Sequence, residues 1–199
     1  MAVVSLAVRI PALQTGGRAA LITAAVFLYF PLPFILRSKD FSRYGISWGT
    51  GWRGLAETVL VAVLILAPFY SIFFILYPPL SWVAVLPQHP WRLVFMQLLL
   101  VSLPEEFFFR AWLQTELGEI WKLRWKIPGA ALGPAWIVTA AFFAAVHLAV
   151  NPKPSRALVF FPGLLFGWLQ ARTKSVIFPT ILHAICNITF IIVTNTARL

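Results

Sequence analysis

Six long apolar stretches constrain the fold of this chain more than any other feature. A helix needs roughly 20 apolar residues to cross hydrocarbon about 30 Å thick, and stretches of about that length recur between clusters of charge, proline and glycine. Backbone polar groups inside lipid must be satisfied within the segment, which favours helices. The pattern therefore predicts an all-α, polytopic transmembrane bundle of about six helices, at residues 19–36, 55–77, 91–117, 134–150, 156–171 and 175–194.

Composition agrees with a membrane location. Hydrophobic residues make up 60% of the 199 residues and charged residues only 11%, whereas soluble domains average about half apolar and a quarter charged. The 16 Lys and Arg lie mainly between the apolar stretches, where they would face anionic lipid. We therefore predict an integral, multi-pass membrane protein whose partners include the lipid bilayer and no nucleic acid.

The chain is expected to form one integrated membrane domain. Residues 1–90 would supply an N-terminal amphipathic segment and two transmembrane helices, and residues 91–199 a catalytic core of about four. Prolines inside the segments are predicted to kink the helices rather than end them, which neighbouring helices tolerate in a membrane. Gly163 and Gly167 are four residues apart, a small-xxx-small spacing that lets another helix approach closely.

Two carboxylates and a guanidinium stand out in the third segment. An ionisable group at membrane depth costs roughly 2.5 to 3.5 kcal/mol, so each one needs a reason. Glu106 and Arg110 are four residues apart and can form an ion pair along one helical face. Glu105 projects to a different side and is then the unpaired carboxylate, which is the environment of a general base. A purely structural ion-pair cluster at a helix end would also account for the three residues.

Two further segments carry polar residues in apolar surroundings. His147 follows Phe143 by one helical turn, and His183 shares one helical face with Asn187. Either histidine alone is explained by packing, but a compact bundle can bring these side chains to one point with Glu105. A hydrolase needs a base for water, a partner that orients the water and donors for the oxyanion of a tetrahedral intermediate. Carboxylate, imidazole and amide groups supply those functions.

The motifs resemble those of the CPBP family, also called the Abi family, which contains CAAX proteases, bacteriocin-processing enzymes and other glutamic-type intramembrane endopeptidases. The resemblance covers roughly residues 91–199, while the first ninety residues match only in being apolar. The family motifs E-E-x-x-x-R, F-x-x-x-H and H-x-x-x-N correspond in order to Glu105-Glu106-xxx-Arg110, Phe143-xxx-His147 and His183-xxx-Asn187.

This resemblance implies a cofactor-free intramembrane protease. Glu105 and His147 would activate the attacking water, and His183 and Asn187 would stabilise the oxyanion. The supporting residues would be Glu106 and Arg110, which hold their helix in register, together with Phe143. The substrate would be a membrane-embedded or lipid-anchored protein or peptide, processed at a prenylated C-terminus, a leader peptide or a C-terminal sorting anchor. A compact single domain favours a prokaryotic cell membrane; no oligomeric state is predicted.

Two other interpretations stay open. His147, His183 and Glu105 could hold Zn²⁺ with an open position for water, as in an intramembrane metalloprotease, although no H-E-x-x-H spacing is present. The polar cluster could instead be the binding site of a non-enzymatic membrane immunity or scaffold protein.

Overall fold

The structure is a computed structural model that describes residues 16–78 and 89–196. The predicted N-terminal amphipathic segment therefore lies, apart from its last residues, outside the described part of the chain. In that part the all-α prediction is confirmed. The helices are α1 (Gly16–Tyr29), α2 (Leu32–Ser38), α3 (Trp52–Leu76), α4 (residues 90–120), α5 (Pro134–Val150), α6 (Phe160–Thr173) and α7 (Ile177–Thr196), with short 3₁₀ turns at Ser42–Tyr44 and Pro154–Val159.

Three stretches within the described residues are long and apolar enough to cross a membrane: Leu21–Ser38, Trp52–Leu76 and Ile177–Thr196. Helix α5 is apolar but shorter, at 17 residues. Along α3, large apolar side chains such as Val63, Leu64 and Ile72 are more than half exposed, which fits contact with lipid. The chain is an integral membrane protein of helices, while six spans remains a prediction.

The effect of proline differs between segments. Helix α3 continues through Pro68, as predicted. The first predicted segment is instead interrupted at Phe30 and Pro31, so that α1 ends at Tyr29 and α2 begins at Leu32. Two prolines there, Pro31 and Pro33, remove two backbone donors within three residues.

Helix α4 alternates between two helical geometries. Pro90–Phe95, Leu103–Glu106 and Gln114–Ile120 are α-helical, and the stretches between them, Met96–Ser102 and Phe107–Leu113, are π-helical. The backbone N–H groups of Leu103 and Gln114 donate to carbonyls five residues earlier. Pro104 has no N–H to donate, and single-turn π segments concentrate at functional sites. The α-helical part between the two π stretches carries Glu105 and Glu106.

A two-stranded hairpin connects α4 to α5, and the sequence pattern did not predict it. Strand β1 (Trp125–Ile127) pairs antiparallel with β2 (Ala130–Leu132). The turn consists of Pro128 and Gly129, whose φ of +75° suits the second central position of a type II turn. Arg172 of α6 donates to the Pro128 carbonyl, so the hairpin lies against the end of α6.

Helix α6 lies inside the bundle. Phe166 and Leu169 from α6 pack with Phe178 and Leu182 from α7 and with Ala62 from α3. A methyl group added at Gly163 would contact Phe143 of α5, and one added at Gly167 would clash with Gln114 of α4. The close approach predicted from the spacing of these two glycines is therefore present, and it brings α4, α5 and α7 around α6.

Candidate active site

Glu106 joins two of the three motifs. Its Oε2 lies 3.2 Å from Arg110 Nε, which confirms the ion pair predicted along the helix, and both side chains are completely buried. Its Oε1 lies 2.8 Å from Nδ1 of His183 on α7. A carboxylate accepts, so Nδ1 carries the proton and donates. Glu106 thus holds His183 as well as Arg110, a contact that the spacing argument did not predict.

Arg110 is enclosed by aromatic rings. The centre of its guanidinium lies 4.4 Å from the centroid of Phe143, 5.4 Å from that of Phe166 and 5.6 Å from that of Phe109. Nη2 donates to the Gly163 carbonyl at 3.2 Å. The cation is therefore stabilised by one carboxylate, one carbonyl and three ring faces.

Glu105 is the carboxylate with a free oxygen. Among the described residues, no hydrogen-bond partner reaches its buried Oε2, which lies 3.9 Å from Nε2 of His183. That separation is too long for a hydrogen bond. The prediction that Glu105 lacks the ion pair of its neighbour is confirmed, and its free oxygen is directed towards the second nitrogen of the imidazole that Glu106 holds.

The Phe143 ring lies close to both histidines. Its ring centroid lies 4.3 Å from that of His147 and 5.9 Å from that of His183. Nδ1 of His147 lies 2.9 Å from the Phe143 carbonyl. A carbonyl only accepts, so Nδ1 donates and Nε2 of the neutral ring is left as an acceptor. The Phe143 ring also lies 4.4 Å from the centre of the Arg110 guanidinium, so residues of all three motifs meet around it in one buried region.

Asn187 is oriented by a residue that the sequence argument missed. Its Nδ2 donates to Oε1 of Gln97 at 3.0 Å, and Gln97 is buried in the first π-helical stretch of α4. The signal was present, because an amide side chain in an apolar segment also needs a reason. Gln97 is not ionisable, however, and only ionisable groups have a cost at membrane depth high enough to be recognised singly. Phe166, whose ring stacks on His183 at 4.8 Å, was missed because an aromatic residue in an apolar helix is ordinary.

The cluster does not have the geometry of a zinc site. Within the described residues, no group of three His, Cys, Asp or Glu side chains is arranged to hold a metal ion. The Nδ1 atoms of both histidines are occupied by protein acceptors, so only their Nε2 atoms are available as ligands. The described residues therefore do not fit a zinc ion.

A bundle of apolar helices around a buried cluster of carboxylate, imidazole and amide groups defines a helical integral membrane protein with an internal polar site. The family model for type II CAAX prenyl endopeptidases of the Rce1-like group matches residues 87–189, just over half of the chain, and the chain belongs to this family. The resemblance stated from the three motifs is thereby confirmed. Membership makes the chain an intramembrane protease that acts on a membrane-associated protein or peptide.

No curated protein and no solved structure matches the chain.

Proposed function

We propose that this protein is a glutamic-type intramembrane endopeptidase, and that Glu105 is the base that activates water. The observation that carries the proposal is the contrast between the two adjacent carboxylates. Glu106 has one oxygen 3.2 Å from Arg110 Nε and the other 2.8 Å from His183 Nδ1. Oε2 of the buried Glu105 lies 3.9 Å from His183 Nε2 and has no hydrogen-bond partner among the described residues. A base must be free to bind the water from which it takes a proton, and Glu105 meets that condition.

In the proposed reaction Glu105 removes a proton from water, and His147 Nε2 accepts the second water proton as a hydrogen bond. The water oxygen attacks the carbonyl carbon of the scissile peptide. Glu105 then gives its proton to the leaving amide nitrogen as the carbon–nitrogen bond breaks. Proton transfer by one positioned group in both directions is ordinary for hydrolases.

The oxyanion is proposed to receive hydrogen bonds from His183 and Asn187. When the His183 ring is protonated, Nδ1 donates to Glu106 and Nε2 is left to donate to the oxyanion. Asn187 Nδ2 carries two hydrogens and uses one for Gln97. Removing a single oxyanion donor typically lowers kcat by about 10²–10³-fold. Loss of either His183 or Asn187 should therefore lower kcat measurably.

The proposed substrate is a membrane-embedded or lipid-anchored chain, and the proposed location is a prokaryotic cell membrane that the protein crosses several times. The three substrate types are a prenylated C-terminus, a leader peptide and a C-terminal sorting anchor. The family match favours the first. No metal cofactor is proposed.

The test is cleavage of a panel of membrane-anchored reporters, one for each substrate type, by purified protein in lipid vesicles. Glu105→Gln keeps the shape of the side chain and removes the base, and we expect at least about a 10³-fold loss of kcat. Glu116→Gln is the matched control, because Glu116 lies on the same helix but bonds Tyr44 and Arg43, outside the site. Its activity should equal that of the wild type.

A zinc chelator is added to each arm. Retained wild-type activity with the chelator supports the metal-free mechanism, and loss of activity with the chelator supports the metalloprotease. Cleavage by Glu105→Gln at the wild-type rate would refute Glu105 as the base. No cleavage of any reporter by the wild type would favour a non-enzymatic membrane protein.

A further inference from the structure

A polar cavity lies at one end of the bundle, away from the glutamate and histidine cluster. It has a volume of about 270 Å³ and is formed by the end of α4, the hairpin, the start of α5, the end of α6 and the Ser42–Tyr44 turn. None of Glu105, His147, His183 or Asn187 lines it. Trp121 and Trp125, which flank Arg124 in sequence, are more than a third exposed, as expected at the boundary between hydrocarbon and headgroups.

The walls of this cavity are positively charged. Three cations, Arg43, Arg124 and Lys174, line it together with one carboxylate, Glu119. The charge of Glu119 is already matched by Lys122, whose Nζ lies 2.9 Å away and which is not part of the lining. The cavity therefore carries an excess of positive charge.

The three cations are available to a ligand to different degrees. Arg124 donates to the carbonyls of Gly118, Trp121 and Leu123, which fix the guanidinium without neutralising it. Arg43 is partly compensated by Glu116 at 3.3 Å. Among the described residues, no ion-pair partner is found for the exposed Lys174 side chain.

Two buried amides, each only 8% exposed, complete the lining. Gln114 Nε2 donates to the Gly167 carbonyl at 3.1 Å and approaches Gln170 Oε1 at 3.4 Å. The side-chain amide of Gln170 therefore lines the cavity beside the three cations. Side-chain amides carry N–H donors, so the lining can offer an anion hydrogen bonds as well as positive charge.

We propose that this cavity binds a phosphate-type anion, such as the phosphate of an anionic lipid headgroup. Basic pockets between transmembrane helices at the membrane surface are typical sites for such headgroups. The volume is below the range of about 300–1,000 Å³ found for drug-sized ligands, which suits a headgroup. This site is separate from the peptidase chemistry, and it stands whether or not Glu105 is the catalytic base.

The test compares three probes: phosphatidylglycerol, phosphatidylcholine and inorganic phosphate. Each is titrated into the full chain in neutral detergent, and apparent affinity is read from the rise in the unfolding midpoint. Lys174→Gln removes a cation of the cavity. Lys126→Gln is the matched control, because Lys126 lies on the hairpin at the same end of the bundle but outside the lining. If Lys174→Gln does not fold, Arg43→Gln replaces it.

We expect phosphatidylglycerol to bind more tightly than phosphatidylcholine, and Lys174→Gln to weaken that binding about fivefold, the effect of one cation near an anionic surface. Lys126→Gln should bind as the wild type does. If Lys174→Gln weakens the binding of inorganic phosphate to the same extent, the site takes free phosphate. If Lys174→Gln weakens only the binding of phosphatidylglycerol, the site takes lipid headgroups. Equal affinity of wild type and Lys174→Gln for every probe, or an equal loss in Lys126→Gln, would overturn the proposal.

Discussion

The Arg110 guanidinium is completely buried, and within the described residues the one carboxylate paired with it is that of Glu106, at 3.2 Å. Removing one partner of a buried pair leaves an uncompensated charge, which costs about 3–5 kcal/mol. We therefore expect Arg110→Ala to lower both the yield of folded protein and its activity. The measurement is the yield of monodisperse protein after detergent extraction, followed by reporter cleavage.

A double variant distinguishes the effect of an unpaired buried charge on the yield of folded protein from the effect of losing Glu106 on activity. Glu106→Gln with Arg110→Met removes both buried charges, so the yield should recover relative to Arg110→Ala. Activity should stay low, because an amide holds His183 Nδ1 more weakly than a carboxylate does. Full yield of Arg110→Ala would contradict the role of the ion pair.

Gln97 is proposed to position Asn187 rather than to touch the substrate. Gln97→Met keeps the length of the side chain and removes the acceptor for Asn187 Nδ2. Loss of orientation at an oxyanion donor should lower kcat between about 10- and 100-fold while KM changes little. An unchanged kcat, measured on protein with a wild-type unfolding midpoint, would show that Asn187 needs no such support.

The ionisable residues of the site could be predicted from the sequence, but the contacts between side chains on different helices could not. Charges at membrane depth are costly enough to be recognised singly, which is why Glu105, Glu106 and Arg110 could be selected. Helical spacing then correctly paired Glu106 with Arg110, because both lie on one helix. The contact between Glu106 and His183 joins residues 77 positions apart, and no local pattern indicates which of two adjacent carboxylates a distant histidine will contact.

At the scale of elements, the glycines of α6 serve as hydrogen-bond acceptors as well as points of close approach. Arg110 Nη2 bonds the Gly163 carbonyl and Gln114 Nε2 bonds the Gly167 carbonyl. Both the donors and the acceptors are four residues apart, so α4 and α6 are joined by two equivalent contacts one turn apart. Side chains at either glycine would push these helices away from each other.

The two glycines should differ in their tolerance of a methyl group. A Cβ at Gly167 would lie 2.8 Å from Trp136 Cδ1 and closer still to Gln114 Oε1, whereas a Cβ at Gly163 would meet Phe143 Cδ1 at 3.3 Å. Overpacking typically costs about 1–3 kcal/mol. We expect Gly167→Ala to lower the unfolding midpoint more than Gly163→Ala does. The reverse order would mean that α6 can shift at one end without disturbing the contacts of Gln114.

Helix existence was predictable because length and apolarity identify a helix in lipid, and the boundaries predicted for the fourth segment, 134–150, match those of α5. The π-helical stretches of α4 were not predictable from periodicity. Over one seven-residue stretch, a change from i→i−4 to i→i−5 bonding alters the apolar pattern too little to be recognised. The hairpin was missed because its strands are three residues each, too short for an alternating pattern.

At the scale of the whole molecule, an ion pair joins the N-terminal helices to the region that matches the family. Arg172 at the end of α6 contacts Glu57 of α3 through two bonds of 2.8 and 2.9 Å. Its guanidinium also lies 5.5 Å from the Trp168 ring centroid. Arg53 contacts the same carboxylate through one bond of 3.1 Å from a largely exposed position. One carboxylate therefore has two arginine partners of very different burial.

This pair of arginines gives a matched test of how the two halves of the chain are held together. A bidentate, partly buried arginine contributes more than an exposed one, whose pairing is worth at most about 1 kcal/mol. Arg172→Gln should therefore lower the unfolding midpoint by roughly 2–4 °C or more, and Arg53→Gln should change it little. Limited proteolysis should release α3 faster from Arg172→Gln than from the wild type, whereas Arg53→Gln should release it at the wild-type rate. Equal effects of both substitutions would mean that packing of α3 against α7, and not Glu57, holds the N-terminal helices to the rest of the bundle.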